Sequence, residues 1–110
     1  MILWVDDIRE PVWNKGCYRW VKSTNEAIRA IVDFENRVDR NMMADDAYIE
    51  YIDMDHDAGD YVSDGGDYIN ILKWMEEHGY CYDIRIHSMN PVGRDNIRKI
   101  MKHNHWKEIY

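Results

Sequence analysis

Three apolar runs in this chain each stop at groups capable of chemistry. Ile2 to Val5 is followed by Asp6-Asp7, the run from Tyr48 to Met54 by Asp55-His56-Asp57, and Tyr82 to Ile86 by His87-Ser88. Short apolar runs separated by helix-period segments read as buried strands alternating with helices. That alternation predicts an α/β domain with a mainly parallel sheet of four to five strands and helices on its faces, a three-layer arrangement. In such sheets ligands bind at the carboxyl ends of the strands. Carboxylates and imidazoles from distant parts of the chain are therefore expected to meet along one rim.

The intervening segments support this order. Tyr18 to Val21 is a short β-prone run. Ser23 opens a helix, with Glu26 completing a capping box, and Ala27, Ile31, Phe34 and Val38 fall on one face. Polar residues around Asn41 to Asp46 precede the third strand. Ser63-Asp64-Gly65-Gly66 leads into a second helix, with Ile69, Leu72 and Met75 inward and Gly79 as its stop. Asn90 and Pro91 suit the N-cap and first turn of a third helix carrying Ile97, Ile100 and Met101. The tail from His105 to Tyr110 is read as a last short strand. At 110 residues the chain fits a single domain, residues 1–110. Cys17 and Cys81 make neither a disulfide framework nor a zinc motif and are expected to pack as small apolar residues.

Charge is concentrated in one place. Asp53, Asp55, Asp57, Asp60, Asp64 and Asp67 occur without an intervening lysine or arginine, and removing these six would take the formal charge from −7 to −1. Such a chain lacks the basic stripe that duplex nucleic-acid binding needs. It contains no stretch of about 20 apolar residues that would span a membrane, and its early acidic pair does not suit a signal peptide, so the expected location is cytoplasmic. Two carboxylates 4 Å apart repel by about 4 kcal/mol at an effective dielectric of 20. Convergent aspartates therefore call for a hard cation, Mg²⁺ or Ca²⁺, which prefers oxygen ligands.

Individual residues sort by position. Successive strand residues face opposite ways, so one of Asp6 and Asp7 is expected to face a cation directly while the other acts through water. Asp53, Asp55 and Asp57 occupy positions 1, 3 and 5 of an EF-hand-like loop. Ala58, however, stands where that loop needs glycine, and Asp64 where it needs glutamate. His56 and His87 end neighbouring strands beside carboxylates and suit the two halves of acid–base catalysis near neutral pH. Ser88, Asn90 and the amides of Val92 and Gly93 join a strand to a helix start, which suits an anionic phosphate, and Arg9 can clamp a phosphate oxygen. Asp60, Asp64 and Asp67 are expected to be solvated or capping residues. His78, His103 and His105 are expected to be structural.

These residues resemble the receiver domain of response regulators. The shared features are an acidic pair after strand one, an aspartate after strand three and a serine after strand four. That resemblance implies that Asp6, Asp7 and Asp55 bind Mg²⁺, with Asp55 as phosphoryl acceptor and Ser88 as the hydroxyl switch. The first crossover, Ile8 to Cys17, is too short and proline-broken for the receiver's first helix, and the lysine after its fifth strand has only Lys107 as a counterpart. The chain is more similar to the cyclic-phosphate processing receiver domains. Their motifs appear as Leu3-Trp-Val-Asp6-Asp7-Ile-Arg9-Glu-Pro11, Asp55-His56-Asp57-Ala-Gly59, Gly66-Asp67 and His87-Ser88-Met-Asn90-Pro91-Val-Gly93.

The second resemblance implies a metal-dependent phosphoesterase that opens a cyclic phosphate on a nucleotide or RNA end. Asp6, Asp7 and Asp55 would hold the cation, His56 and His87 would transfer protons, and Asp57 would orient His56. Arg9, Ser88, Asn90, Val92 and Gly93 would hold the phosphate. Two other readings stand beside it: a non-catalytic signalling module that accepts or senses phosphate at Asp55, and a domain used only for protein contacts through its tyrosines and tryptophans.

Overall fold

The computed structural model describes residues 1–11, 18–38 and 48–110. Five parallel strands, β1 (Ile2–Val5), β2 (Tyr18–Val21), β3 (Tyr51–Met54), β4 (Asp83–Ile86) and β5 (Glu108–Ile109), form one sheet in the order β2-β1-β3-β4-β5. Helices α1 (Thr24–Val38), α2 (Ile69–His78) and α3 (Pro91–Asn104) supply the last three crossovers. This is the receiver/flavodoxin-like order, and its direction reverses between β1 and β3, where such sheets bind ligands.

Strand alternation sorts the sheet into two unlike faces. Leu3, Val5, Val21, Ile52, Met54 and Ile84 are buried and join one core with Ala27, Ala30, Ile31 and Phe34 of α1, Ile71, Leu72 and Met75 of α2, and Ile97 and Met101 of α3. Connections β2 to β3, β3 to β4 and β4 to β5 all run the same way along the sheet. Right-handed crossovers therefore stack all three helices on one side, where α2 packs against both α1 and α3. The opposite face carries Trp4, Asp53 and Arg85 in register. A helix on that face, as three layers require, is absent among the described residues. The one connection that runs the other way, from β1 to β2, crosses residues 6–17.

Local details follow the sequence with a few corrections. Ser23 caps α1 by accepting from the Glu26 N–H at 3.0 Å, while the Glu26 carboxylate accepts from Lys22 N–H rather than from Ser23. In α2 Leu72 and Met75 are buried as expected, and Ile71 rather than Ile69 joins them. Gly79 ends α2 with φ 74°, as a left-handed stop requires. Asn90 caps α3 and Pro91 occupies its first turn.

Tyr48 is 54% exposed and lies outside β3. Cys81 is exposed rather than packed. The expected last strand is β5, which Arg98 of α3 grips through a two-pronged bond to Glu108 at 2.9–3.2 Å. The expectations for Cys17, residues 41–46 and the Val38 side chain lie outside the described residues. No helix among the described residues is long and apolar enough to cross a membrane.

Candidate functional site

Register alone assembles the rim. Val5 pairs with Met54 and Met54 with Ile86, so the next residue of each strand lies beside its neighbour at the ~4.8 Å strand spacing. Those residues are Asp6, Asp55 and His87. The ladder continues to them, with Asp55 N–H donating to Val5 C=O at 2.9 Å and His87 N–H to Met54 C=O at 3.0 Å. One ligand atom from each of the three lies within 4.8 Å of the others.

Asp6 is 1% exposed, and its carboxylate is well supplied with donors. Oδ1 accepts from the Ile8 and Arg9 N–H groups at 3.0 and 2.9 Å, and Oδ2 faces His87 Nε2 at 2.9 Å. Burial alone would raise its pKa, but the two amides and the imidazole outweigh it and hold Asp6 below the ordinary carboxylate range. Asp7 moves the other way. Burial pushes it up, and the neighbouring Asp6 and Asp55 carboxylates add to the shift. Gly59 (φ +56°) comes so close that a Cβ there would overlap the Asp7 carboxylate. Beneath the cluster, the fully buried Tyr68 donates to Lys22 C=O at 2.7 Å. Burial and the three carboxylates raise its phenol pKa.

His87 is held on three sides. Its Nδ1 lies 2.7 Å from Asp53 Oδ1, its Nε2 faces Asp6, and its ring stacks on Trp4 at 4.1 Å with a 3° interplanar angle. Asp53 is fully buried and also accepts from Arg85 Nη1 at 3.0 Å. Only an imidazolium can donate to both carboxylates when both are ionised. Asp53 and Arg85 were missed as site residues by the sequence reading. The signal was available: each is a charged residue between two apolar ones on adjacent strands, which places both on the same face.

His56 belongs to a second group. Its side chain is 14% exposed, and Nδ1 lies 2.8 Å from Asp57 Oδ1. Asp57 in turn accepts from Asn90 Nδ2 at 3.4 Å, and Nε2 of His56 has no hydrogen-bond partner among the described residues. The His56 ring rests on Gly93 of α3. Asp67 accepts from Ala58 N–H at 3.1 Å, closing the loop, and ligand atoms of His56, Asp57 and Asp67 also lie within 4.8 Å of one another. The Asp64 carboxylate accepts from the Ser23 hydroxyl and the Asn25 side-chain amide at the start of α1, and its backbone carbonyl accepts from Asn25 N–H.

The expected phosphate group is only partly assembled. Ser88 is buried, and its Oγ accepts from Asn90 N–H at 3.1 Å. Asn90 Oδ1 accepts from Gly93 N–H at 3.2 Å, so this amide is engaged rather than free, a correction caused by the N-cap itself. Val92 is 69% exposed. Arg9 is exposed, with its backbone fixed by Asp6 and by Trp4 Nε1 at 2.6 Å. Lys107 precedes β5, and its carbonyl accepts from Ile84 N–H near the start of β4, which puts it toward the opposite edge from the rim.

The donor set can hold a metal ion: two carboxylates and an imidazole converge in one group, and an imidazole with two carboxylates in the other. Carboxylate oxygens suit Mg²⁺, and the nitrogen of His87 extends the range to transition ions. In comparison with known proteins, the family model described as cyclic-phosphate processing receiver domain matches residues 1–103. No curated protein and no solved structure matches the chain.

Proposed function

Because the chain belongs to the cyclic-phosphate processing receiver domain family, we propose that the rim opens a cyclic phosphate, on a nucleotide or an RNA end, with a divalent cation held at Asp6, Asp55 and His87. The observation that carries this reading is the convergence of those three side chains within 4.8 Å from the ends of three strands. Asp7 flanks them and supplies further negative charge. Mg²⁺ is the first candidate and Mn²⁺ the second, given one nitrogen donor. A bound cation supplies charge stabilisation at the phosphoryl oxygens.

His56 takes the proton-transfer role. Asp57 holds its Nδ1 at 2.8 Å, which leaves Nε2 to accept a proton from an attacking water. The water oxygen joins phosphorus, one ring P–O bond breaks, and the departing oxygen receives the proton that His56 took from the water. The product is a phosphomonoester and a hydroxyl. His87 is assigned to the cation rather than to proton transfer, since both of its nitrogens face carboxylates. Arg9, Ser88, Asn90 and the Val92 amide are assigned to the phosphate, while the Gly93 amide serves the helix cap.

The test is a screen of 2′,3′- and 3′,5′-cyclic nucleotides and RNA ends bearing a terminal cyclic phosphate, with Mg²⁺, with Mn²⁺ and with EDTA. Cation-dependent ring opening of at least one substrate is expected. The signalling alternative predicts instead no product and a covalent phosphoryl group on Asp55 after treatment with a small phosphodonor in Mg²⁺.

A further inference from the structure

We infer that Asp53, anchored by Arg85, is the positioning residue that decides which nitrogen of His87 faces the rim. The inference rests on the reading of Asp6, Asp55 and His87 as cation ligands. Trp4, Asp53 and Arg85 share the sheet face that carries no described helix, and the register pairs Trp4 with Asp53 and Asp53 with Arg85. His87 lies just beyond β4 on that side, so its ring folds back over Trp4 and sets Nδ1 on Asp53 at 2.7 Å.

Asp53 is 0% exposed. A buried carboxylate is costly unless paired and hydrogen-bonded. Its two oxygens are matched one to one, Oδ1 to His87 and Oδ2 to Arg85 at 3.0 Å. An acceptor fixed at Nδ1 keeps the proton there. It leaves Nε2, on the Asp6 side, as the nitrogen that offers a lone pair to a cation. A ligating imidazole generally donates its other N–H to such a carboxylate, and loss of that outer partner typically costs about 10–100-fold in metal affinity. With asparagine at 53 the partner amide can donate as well as accept, and the ring is free to adopt the other tautomer. Arg85, 36% exposed at its side chain, touches no ligand and acts through Asp53 alone.

The experiment follows two readouts in the full chain. One is the ¹⁵N and ¹H signature of the His87 ring without added metal, and the other is calorimetric affinity for Mn²⁺. For the wild type, a proton on Nδ1 is expected. For Asp53→Asn, the Nδ1 proton signature is lost and Mn²⁺ affinity falls about 10–100-fold. Arg85→Gln, which removes only a partly exposed partner, keeps the fold and shows a smaller loss in the same direction, and Arg85→Lys recovers part of it. Wild-type protein that binds no Mn²⁺ overturns the cation reading, and the ring signature then still decides whether Asp53 sets the tautomer. Wild-type binding with an unchanged His87 ring and unchanged affinity in folded Asp53→Asn and Arg85→Gln proteins overturns the positioning role.

Discussion

The His56 ring rests directly on Gly93. A Cβ built at Gly93 would stand 2.8 Å from both Cβ and Cδ2 of His56 and closer still to Cγ. Glycine to alanine inside a helix ordinarily gains about 1 kcal/mol. At this position the sign should reverse, because the added methyl has to displace a ring that Asp57 holds from the other side. Gly93→Ala is expected to lower stability by about 1–3 kcal/mol, the usual cost of overpacking, and to lower cyclic-phosphate turnover with it. Urea unfolding measures the first; a stabilised variant would show that α3 does not set the His56 ring.

The two histidines should separate experimentally. His56→Ala removes the group assigned to proton transfer and should reduce turnover by about 10²–10⁴-fold while leaving Mn²⁺ affinity near the wild-type value. His87→Ala should weaken Mn²⁺ binding itself. Kinetics and calorimetry on the same preparations check the split. Equal losses of cation affinity in both variants would contradict the division of roles.

Much of this site was legible because three strands stop in register. The run ends at Val5, Met54 and Ile86 are marked by composition, so Asp6, Asp55 and His87 could be placed on one rim without coordinates. Parallel register then does the rest. What escaped was governed by orientation within strands. Asp53 was read as part of strand three and of the acidic run but given no role, and it points away from Ile52 and Met54, toward Arg85 and His87. The acid–base pairing of His56 with His87 was a matter of side-chain direction, which strand ends do not determine. One ring turns to Asp57 and the other to Asp53 and Asp6. Among the described residues all three helices pack on one side of the sheet, because that side follows from strand order rather than from the alternation of elements.

Acid should weaken the fold through Asp64. The Ser23 hydroxyl and the Asn25 amide hold its carboxyl below the ordinary value of 3.8, and it stands at the positive end of α1. A group lowered on folding contributes stability above its unfolded pKa, and that contribution is lost as pH falls through the folded value. Wild-type protein should therefore lose stability on passing below about pH 4, and Asp64→Asn should show a shallower loss over the same range with lower stability at pH 7. Asp7 has the opposite sign, since its raised pKa costs stability as pH rises through the folded value. Urea midpoints at pH 7 and pH 3 for both proteins give the comparison, and parallel acid limbs would contradict the role of Asp64.

The central claim is that Asp6, Asp55 and His87 together hold one cation. It is tested most directly by titrating Mg²⁺ and Mn²⁺ calorimetrically into wild-type and Asp55→Asn protein. Binding of one ion per chain is predicted for the wild type, weakened at least tenfold when Asp55 loses its charge. No heat from either ion, or the same affinity in both proteins, would contradict it.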